Sequence, residues 1–464
     1  MSMAVKTDKY VMKQVNGDTY TPISIFESIV GTKKVLFESN AKFKQNGRYS
    51  FIAFNPVGEL KGNAESSSYS IHNQELVTEQ KPVLTLLKEL LPIQKENAPF
   101  AFFGGAIGYF GYETAYHFEQ IGEIVGDVYN MPDVHVYFYE TFIVIDHLLQ
   151  QVSIVAMDLF QAGHSMELMQ QKVDEIEQMM MSSLSYKHTP DIDVQFTPTI
   201  KKERFIEMVE TAKQHIRNGD IFQVVLSQTF EADYREHPLT LYRKLRTSNA
   251  SPYMFFMEFG DYTVLGTSPE SLVKVQKGLV TTNPIAGTKP RGQNAQEDEA
   301  IAYALLQDEK ETAEHKMLVD LGRNDVGRVA QIGTVAVTKY MEIEKYKYVM
   351  HIVSEVTGKL RDDAHIVDVI ASSLPAGTVS GAPKIRAMQI INELEQRKRG
   401  IYAGAIGYLS ASGDMDLALA IRTMIIKDEK AYVQAGAGIV YDSVPEMEYE
   451  ETLNKAKALL EVRK

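Results

Sequence analysis

The amino-acid sequence predicts an α+β fold in which strands and helices do not follow the regular βαβ order of a parallel sheet. Apolar runs with the composition of strands recur, for example at 134–149 and 221–232. Other stretches have the apolar spacing of amphipathic helices, among them 165–181 and 202–220. The second of these ends at Asn-Gly, which is a usual helix stop. The mixture of segments favours this architecture over a doubly wound parallel sheet.

Length and local composition indicate how the chain is divided. A chain of 464 residues has the length of about three average domains, although two large domains fit as well. The stretch 182–195 is polar, contains a proline and lacks apolar periodicity, so it is the best candidate for a linker. We therefore predict an N-terminal domain over 1–185 and a second domain over 196–464.

Charge and composition exclude several classes of function. The net charge of −13 argues against general nucleic-acid binding, which needs clustered basic faces. No apolar run follows the basic residues near the start, and no stretch approaches a membrane span, so a cytoplasmic protein without a membrane partner is expected. The chain contains no cysteine, which excludes disulfides, thiolate metal sites and cysteine nucleophiles.

The pentapeptide Gly-Ala-Ile-Gly-Tyr occurs twice, at 105–109 and at 404–408. The copies lack matching flanks, so they do not indicate a repeat architecture. Glycines at this spacing in a strand more often permit close approach of another backbone than they bind phosphate. No glycine-rich nucleotide-binding string opens a helix after a strand, so nucleotide binding has no support from the sequence.

Two pairs of glutamates, each with a spacing of three residues, are the most informative feature. Glu311 and Glu314 lie in one predicted helix, and Glu448 and Glu451 lie in another. Residues three apart share a helix face, so each pair can direct both carboxylates the same way. Two such faces brought together form an all-oxygen pocket that suits Mg²⁺. The alternative is ordinary helical glutamates, which favour the macrodipole near a helix start.

Further segments carry residues suited to an anionic ligand. The glycine-rich turn at 377–388 enters a helix whose N–H groups could bind an anion, although an ordinary helix entry explains it as well. Arg422 is placed inside an apolar strand, where it needs an anionic partner. The small residues of 434–440 offer backbone N–H groups to a carboxylate. His351 is by default a core histidine, with catalysis as the alternative. With the glutamates, these residues describe a Mg²⁺-assisted site for a small molecule that carries carboxylates.

These segments resemble the chorismate-utilising enzymes over about residues 200–460. The similar strings are PIAGT, DEKETAEHKMLVDLGRND, GTVSGAPKIRAM, AIRTM, QAGAGIV and the stretch from Glu448 to Lys455. Nearer the N-terminus, LFES, GRYSF and GGAIGYFGYE resemble the synthase subunits of anthranilate synthase and of the related enzyme in aminobenzoate synthesis. The resemblance implies the fold of that family, in which large, mostly antiparallel β-sheets pack as a sandwich with helices outside.

Two positions distinguish members of the family. Relatives that make 4-amino-4-deoxychorismate usually carry a nucleophilic lysine where this chain has Ala286. Isochorismate synthases usually carry a lysine base where this chain has Gln223, and a neutral amide fits ammonia as the nucleophile at C2. The resemblance therefore implies the anthranilate synthase branch, which acts in the first committed step of tryptophan biosynthesis.

The resemblance also implies roles for individual residues. The expected direct Mg²⁺ ligands are Glu314 and Glu451, with Glu311 and Glu448 in or just outside the coordination sphere. The residues expected to act in catalysis are Glu270, His351 and Gln223. Those expected around the ring and the enolpyruvyl carboxylate are Gly287, Thr288, Tyr402, Arg422, Gly436, Ala437, Gly438 and Lys455. The metal would hold the ring carboxylate and act as a Lewis acid.

The resemblance and the absence of cysteine together imply a partner. Family members of this type usually take ammonia from glutamine through a Cys–His amidotransferase. This chain cannot form the required thioester, so a separate glutamine amidotransferase subunit is implied, or the use of free ammonia.

A feedback site for tryptophan is implied by LFES and SPYMFFM, which resemble the family's tryptophan-binding strings, although 252–257 could also be an ordinary core strand. The residues expected to contact tryptophan are Glu38, Ser39, Pro252, Tyr253, Met254 and Tyr408. Two alternatives to an anthranilate synthase remain open at this point. One is the aminodeoxychorismate synthase component, and the other is a non-catalytic regulatory subunit that binds tryptophan.

Overall fold

The computed structural model describes residues 3–7, 9–39, 47–72, 74–94, 98–182, 194–346 and 349–460. Most of the linker predicted at 182–195 lies outside these ranges. Within them, no helix is both long and apolar enough to cross a membrane.

The strands of the described residues are, in chain order, β1 Met3–Thr7, β2 Tyr10–Asn16, β3 Val35–Glu38, β4 Tyr49–Ala53, β5 Gly58–Gly62, β6 Ser67–Ile71, β7 Val77–Glu79, β8 Gly105–Phe110, β9 Val134–Tyr139, β10 Thr141–Asp146, β11 Gln151–Met157, β12 Thr197–Pro198, β13 Gln223–Asp233, β14 Tyr253–Glu258, β15 Tyr262–Ser268, β16 Ser271–Gln276, β17 Leu279–Thr282, β18 Ile285–Pro290, β19 Ala336–Lys345, β20 Val349–Lys359, β21 Gly381–Ala382, β22 Ala405–Ser410, β23 Met415–Leu419, β24 Thr423–Lys427 and β25 Lys430–Ile439.

The α-helices are α1 Pro22–Ser28, α2 Val83–Leu90, α3 Met166–Met181, α4 Lys202–Arg217, α5 Pro238–Ser248, α6 Ala295–Gln307, α7 Glu309–Gly327, α8 Ile366–Ser373, α9 Lys384–Glu395 and α10 Pro445–Leu460. Two short 3₁₀ helices cover Tyr112–His117 and Gly377–Val379. Both helical stretches predicted from apolar spacing are confirmed as α3 and α4, and the predicted strand at 221–232 is confirmed as β13.

The strands of the described residues form two sheets in which every pairing is antiparallel. The first sheet has thirteen strands in the order β1-β2-β11-β10-β4-β3-β14-β15-β24-β25-β13-β12, with β21 also on β13. The second has twelve, in the order β18-β20-β17-β16-β23-β22-β8-β9-β5-β6-β7, with β19 also on β20. The predicted α+β class is therefore confirmed.

Both sheets contain strands from each side of the predicted domain boundary. In the first sheet β3 pairs with β14, and in the second β8 pairs with β22. The apolar run 134–149 also divides between them, because β9 belongs to the second sheet and β10 to the first, with Glu140 between the two strands. A division of function between 1–185 and 196–464 stays a prediction.

The two copies of Gly-Ala-Ile-Gly-Tyr pair with each other through β8 and β22, where Gly108 lies opposite Gly407. A Cβ atom on Gly108 would lie 2.0 Å from the carbonyl oxygen of His135, and one on Gly407 would lie 2.0 Å from that of Asp416. Neither position tolerates a side chain. The prediction that these glycines permit close backbone approach is therefore confirmed.

The two sheets face each other across an aromatic-rich core that takes residues such as Phe255 from the first sheet and Tyr109 and Ile406 from the second. Helices α1, α3 and α5 pack on strands of the first sheet, while α2, α7 and α8 pack on strands of the second. Burial of apolar surface between the sheets and under these helices stabilises the arrangement. The expected sandwich with helices outside is confirmed.

Candidate active site

Helix α7 carries the first glutamate pair. The side chain of Asp308 caps its start and accepts hydrogen bonds from the backbone N–H groups of Lys310 and Glu311 at 3.1 and 3.2 Å. Leu318 and Val319 are buried, which sets the rotation of the helix about its axis. Glu311 then lies against β18, because Oε2 of Glu311 is 3.2 Å from the position that a Cβ atom on Gly287 would take.

Helix α10 carries the second pair and lies along β25. Tyr449 and Thr452 are buried, so Glu448 and Glu451 turn toward the more accessible side. The Nζ atom of Lys455 lies 2.7 Å from Oε1 of Glu451 and donates to the carbonyl oxygen of Gly436 at 3.0 Å. The second pair therefore stands beside the glycines of the 434–440 segment.

Strands β13 and β25 connect the two glutamate pairs. The side-chain amide of Gln223 donates a hydrogen bond to Oε1 of Glu314 at 3.1 Å. The same nitrogen lies 2.9 Å from the position that a Cβ atom on Gly438 would take, so a side chain there would require the amide to move. Within the described ranges, no three of the four glutamates bring oxygens within 4.8 Å of one another. The carboxylates border a common region without forming a closed cage.

The electrostatics of these glutamates fit a divalent cation. Desolvation raises the pKa of Glu311, and the neighbouring charge of Glu314 raises it further. Desolvation also raises the pKa of Glu448, with a further contribution from Glu451. Like charges held out of water repel each other, and a cation that binds between them removes that cost. The donor atoms are all carboxylate oxygens, the type that Mg²⁺ prefers.

His351 lies in β20 and faces β18. Its Nδ1 atom is 3.0 Å from Oγ1 of Thr288 and 3.3 Å from the carbonyl oxygen of Gly287. A carbonyl oxygen can only accept, so we assign the ring hydrogen to Nδ1, which leaves Nε2 as the basic nitrogen. Desolvation lowers the pKa of His351, and a neutral imidazole is therefore favoured. His351 is half-buried at the site and is not a core histidine.

Glu270 follows β15, and its Oε1 atom accepts a hydrogen bond from Oγ1 of Thr378 at 2.9 Å. Desolvation raises the pKa of Glu270 to about 7, although the Thr378 hydroxyl and the charges of Lys455 and Arg422 act in the opposite direction. A carboxyl group with this pKa is largely protonated below neutral pH, so it can donate a proton.

The prediction that Arg422 lies inside a strand was wrong. Arg422 has a φ of 49° in the break between β23 and β24, because β24 begins only at Thr423. Its guanidinium makes no hydrogen bond or ion pair with any described residue, and desolvation lowers its pKa while the charge of Glu270 acts to raise it. A half-buried cation without a bonded anion is suited to a carboxylate ligand.

The glycines of β25 lie at an open strand edge. Strand β24 pairs with β25 only as far as Val433, whereas β13 pairs with it as far as Ile439. Within the described residues, one edge of 434–439 thus has no strand partner. A Cβ atom on Gly436 would lie 2.7 Å from the hydroxyl of Tyr402. Ala437 is buried between Gly436 and Gly438, and the lack of side chains at the two glycines permits close approach of a ligand to the backbone.

Comparisons with known proteins agree with this geometry. A family model described as chorismate binding enzyme matches residues 32–461. The chain belongs to the chorismate-binding enzyme family. A relative from Lactococcus lactis subsp. lactis (strain IL1403), named anthranilate synthase component 1, is 46% identical over 97% of this chain and 99% of its own length. A protein of the same name from Acetivibrio thermocellus is also 46% identical, over 97% of this chain and 94% of its own.

The fold of this chain is similar to that of a solved structure over nearly the whole length of both chains. The crystal structure of anthranilate synthase component I from Streptococcus pneumoniae TIGR4 matches with a TM-score of 0.84 and 45% identity, over 97% of this chain and 99% of that chain. The menaquinone-specific isochorismate synthase from Escherichia coli matches with a TM-score of 0.72 at 19% identity, which shows a shared fold.

In this chorismate-binding enzyme, the residues expected to contact tryptophan do not share one surface: those near β3 and β14 divide between the two faces of the first sheet, and Tyr408 belongs to the second sheet. Glu38 and Met254 lie opposite each other on β3 and β14. The carboxylate of Glu38 accepts hydrogen bonds from Arg246 and from the hydroxyl of Tyr242 on the α5 side. Its oxygens are thus already engaged by protein donors.

The other face of the same strands points toward the second sheet. The hydroxyl of Tyr253 donates to Oδ1 of Asp416 in β23 at 3.2 Å. Tyr408 lies in the aromatic core and contacts Phe37 with a ring-centroid distance of 6.4 Å. Ser39 follows β3 directly, and its backbone N–H donates to Oγ of Ser50 at 3.1 Å. Pro252 immediately precedes β14. A ligand between the sheets could contact Tyr253 and Tyr408, whereas Glu38 faces away.

Sequence reasoning missed Thr378, which bonds Glu270 from the 3₁₀ turn at Gly377–Val379. The only available signal was a hydroxyl residue in the glycine-rich segment 377–388. The same segment enters α9, but the Nζ atom of Lys384 lies 2.9 Å from both carboxylate oxygens of Asp325. That lysine is already paired, which favours the interpretation of the segment as an ordinary helix entry.

Proposed function

We infer that the chain is the synthase component of an anthranilate synthase, which converts chorismate and ammonia to anthranilate, pyruvate and water. Membership of the chorismate-binding enzymes and the similarity to proteins named anthranilate synthase component 1 support the reaction class. The observation that carries the choice of reaction is Gln223, a neutral amide bonded to Glu314 at the position where a lysine base would activate water. Ala286 provides no lysine nucleophile for the attack at C2 that formation of 4-amino-4-deoxychorismate would use.

Glu314 and Glu451 would hold a Mg²⁺ ion, with Glu311 and Glu448 beside them. Desolvation and mutual repulsion of these carboxylates support this assignment. The ion would supply a Lewis acid for the ring carboxylate of chorismate.

Groups of the chain itself account for binding of the enolpyruvyl carboxylate of chorismate. The guanidinium of Arg422 has no bonded anion among the described residues, and within those residues β25 at Gly436–Gly438 has no strand partner on one edge. A guanidinium and backbone N–H groups together bind a carboxylate through charge and hydrogen bonds. The hydroxyl of Tyr402 lies beside Gly436, and Thr288 contacts His351; we propose that both help to position the ring.

The pKa of Glu270 is raised and the pKa of His351 is lowered, which suggests an acid role for the first and a base role for the second. Glu270 holds a proton near neutral pH, so it would donate that proton to the C4 hydroxyl as it leaves as water while ammonia adds at C2. His351 is favoured in its neutral form, so Nε2 would remove the proton from C2. The C3–O bond then breaks, pyruvate leaves, and the ring becomes aromatic.

Ammonia would come from a separate glutamine amidotransferase subunit, because a chain without cysteine cannot form the glutamyl thioester. The name component 1 of the similar proteins supports a two-component enzyme. We also propose that tryptophan inhibits this component by binding between the sheets near Ser39, Tyr253 and Tyr408. This region is built on β3, β14 and β22, whereas the glutamates lie on helices α7 and α10, so the inhibition would be allosteric.

Product analysis tests the reaction directly. The purified chain, supplied with chorismate, Mg²⁺ and ammonium, should yield anthranilate and pyruvate in equal amounts. Accumulation of 4-amino-4-deoxychorismate would instead indicate the aminodeoxychorismate synthase component. No product, together with tryptophan binding, would indicate a regulatory subunit.

A further inference from the structure

A group of two histidines and one glutamate lies apart from the candidate active site. His72, Glu140 and His164 each place one ligand atom within 4.8 Å of those of the other two. His72 follows β6 and Glu140 connects β9 to β10, whereas His164 lies between β11 and α3. In the second sheet β6 lies near the opposite end of the strand order from β18, so the group is distant along the sheet from the glutamate pairs.

Each of these residues has a buried polar atom without a hydrogen-bond partner. The atoms are Nε2 of His72, Oε2 of Glu140 and Nδ1 of His164. Glu140 is only 1% exposed, and its Oε2 lies 3.7 Å from Nδ1 of His164. A buried polar atom that remains unpaired is unfavourable, because it has lost its hydrogen bonds to water. The three unpaired atoms belong to residues whose ligand atoms lie close together, which indicates a missing common partner.

The surrounding contacts hold the three side chains in place. The backbone N–H of Phe160 donates to Oε1 of Glu140 at 3.0 Å, which leaves Oε2 directed toward the histidines. Asp158 accepts hydrogen bonds from the N–H groups of residues 162, 163 and 164, so it fixes the loop that carries His164. Hydrogen bonds of this kind orient metal ligands in known sites.

We propose that His72, Glu140 and His164 form a binding site for a transition-metal ion of the zinc type. Two imidazole nitrogens and one carboxylate oxygen suit Zn²⁺, whereas Mg²⁺ prefers oxygen donors alone. Donors about 2.1 Å from a tetrahedral ion lie about 3.4 Å apart, close to the separation found for His164 and Glu140. Oδ1 of Asp158 also lies 3.7 Å from Nδ1 of His164, but Asp158 is outside the group of mutually close ligand atoms.

The bound ion would act as a structural clip. It would join the end of β6 in the second sheet to the crossover at Glu140 and to the loop that follows β11 in the first sheet. An ion that binds only the folded chain stabilises it by mass action, so the clip should raise the unfolding temperature.

Zinc retention by the full chain tests the site. Protein stripped with a chelator is dialysed against Zn²⁺ in the presence of excess Mg²⁺, which occupies the carboxylates of the candidate active site. We expect one tightly held zinc per chain and a higher unfolding temperature. His72→Gln and His164→Gln should each weaken zinc binding by about 100-fold or more, because each removes a ligand. Retention of zinc by both variants as tightly as by the wild type would overturn the proposal.

Two controls separate this site from adventitious binding. His215→Gln removes a histidine that is paired with Asp220 at 2.6 Å on the surface, and it should bind zinc like the wild type. Substitution of Co²⁺ in the wild type gives a readout that does not depend on folding of a variant. Visible absorption of tetrahedral, nitrogen-ligated Co²⁺ supports the site, and the weak absorption of octahedral Co²⁺ alone contradicts it.

Discussion

The side-chain amide of Gln223 lies 3.1 Å from Oε1 of Glu314 and donates a hydrogen bond to it. The contact joins the residue on which our choice of reaction rests to a proposed Mg²⁺ ligand. The amide nitrogen is engaged by the carboxylate, so the side-chain carbonyl oxygen of Gln223 remains to accept a hydrogen bond from the proposed ammonia nucleophile. A lysine at this position would instead add a positive charge next to the metal ligand.

The first prediction concerns the metal ligands. Glu314→Gln and Glu451→Gln should each lower kcat/KM by about 100-fold or more, because each removes a charged oxygen from a site expected to contribute several kcal/mol. Steady-state assays over a range of Mg²⁺ concentrations measure the effect. Glu309→Gln, an exposed change on the same helix, is the matched control and should be close to the wild type. Normal Mg²⁺-dependent activity in either Glu314→Gln or Glu451→Gln would contradict the assignment of that glutamate as a metal ligand.

The second prediction concerns Ala286, which pairs with Ile352 next to the bulge that precedes Thr288. Ala286→Lys should lower anthranilate formation by about 10-fold or more, since a long cationic chain would reach the carboxylates near Gly287. Ala286→Met has similar length without charge and should show a smaller loss. Anthranilate formation by Ala286→Lys at the wild-type rate would contradict the placement of this residue.

The third prediction concerns pH. The pKa of Glu270 is raised to about 7, so its acid form is lost as pH rises through that value. If Glu270 is the general acid, the rate at constant free ammonia should fall about tenfold per pH unit above this point. Thr378→Val removes a hydrogen bond that favours the charged form, so the inflection should move to higher pH. A Glu270→Gln variant with the wild-type rate and the same inflection in its pH profile would exclude Glu270 as the general acid.

The fourth prediction concerns tryptophan. Ser39→Phe should fill space beside the inner face of the first sheet and raise the tryptophan concentration for half-inhibition by about 10-fold or more, within the usual range of allosteric coupling. Turnover without tryptophan should be nearly unchanged. Ser39→Ala removes only the hydroxyl and should have a weaker effect. Equal inhibition of the wild type and Ser39→Phe, or a wild type that does not respond, would exclude the feedback site.

Features that depend on local spacing could be predicted from the sequence. The helices that carry the two glutamate pairs, and the strand that contains Gln223, can be predicted from apolar periodicity over short stretches of the sequence. The pairing of His351 with Thr288 could not be derived in this way, because it depends on the register between β20 and β18. The family resemblance supplied that proximity where periodicity could not.

Long-range topology explains what sequence reasoning missed. Glu38 and Ser39 are neighbours in the chain, but alternation along β3 turns Glu38 toward Arg246 on α5. No spacing indicates that partner. Arg422 has an apolar neighbourhood typical of a strand, yet a positive φ places it in a break. The His72, Glu140 and His164 group has no motif spacing at all, since three separate connections of the two sheets bring it together.

The most direct test of the proposed reaction is the identity of the product with two nitrogen sources. The purified chain is incubated with chorismate and Mg²⁺, once with ammonium at raised pH and once with glutamine, and the products are separated by chromatography while pyruvate is assayed enzymatically. We predict anthranilate and pyruvate in a one-to-one ratio with ammonium, and no turnover with glutamine until an amidotransferase subunit is added. Isochorismate or 4-amino-4-deoxychorismate as the product, or glutamine-dependent activity of the chain alone, would contradict the account.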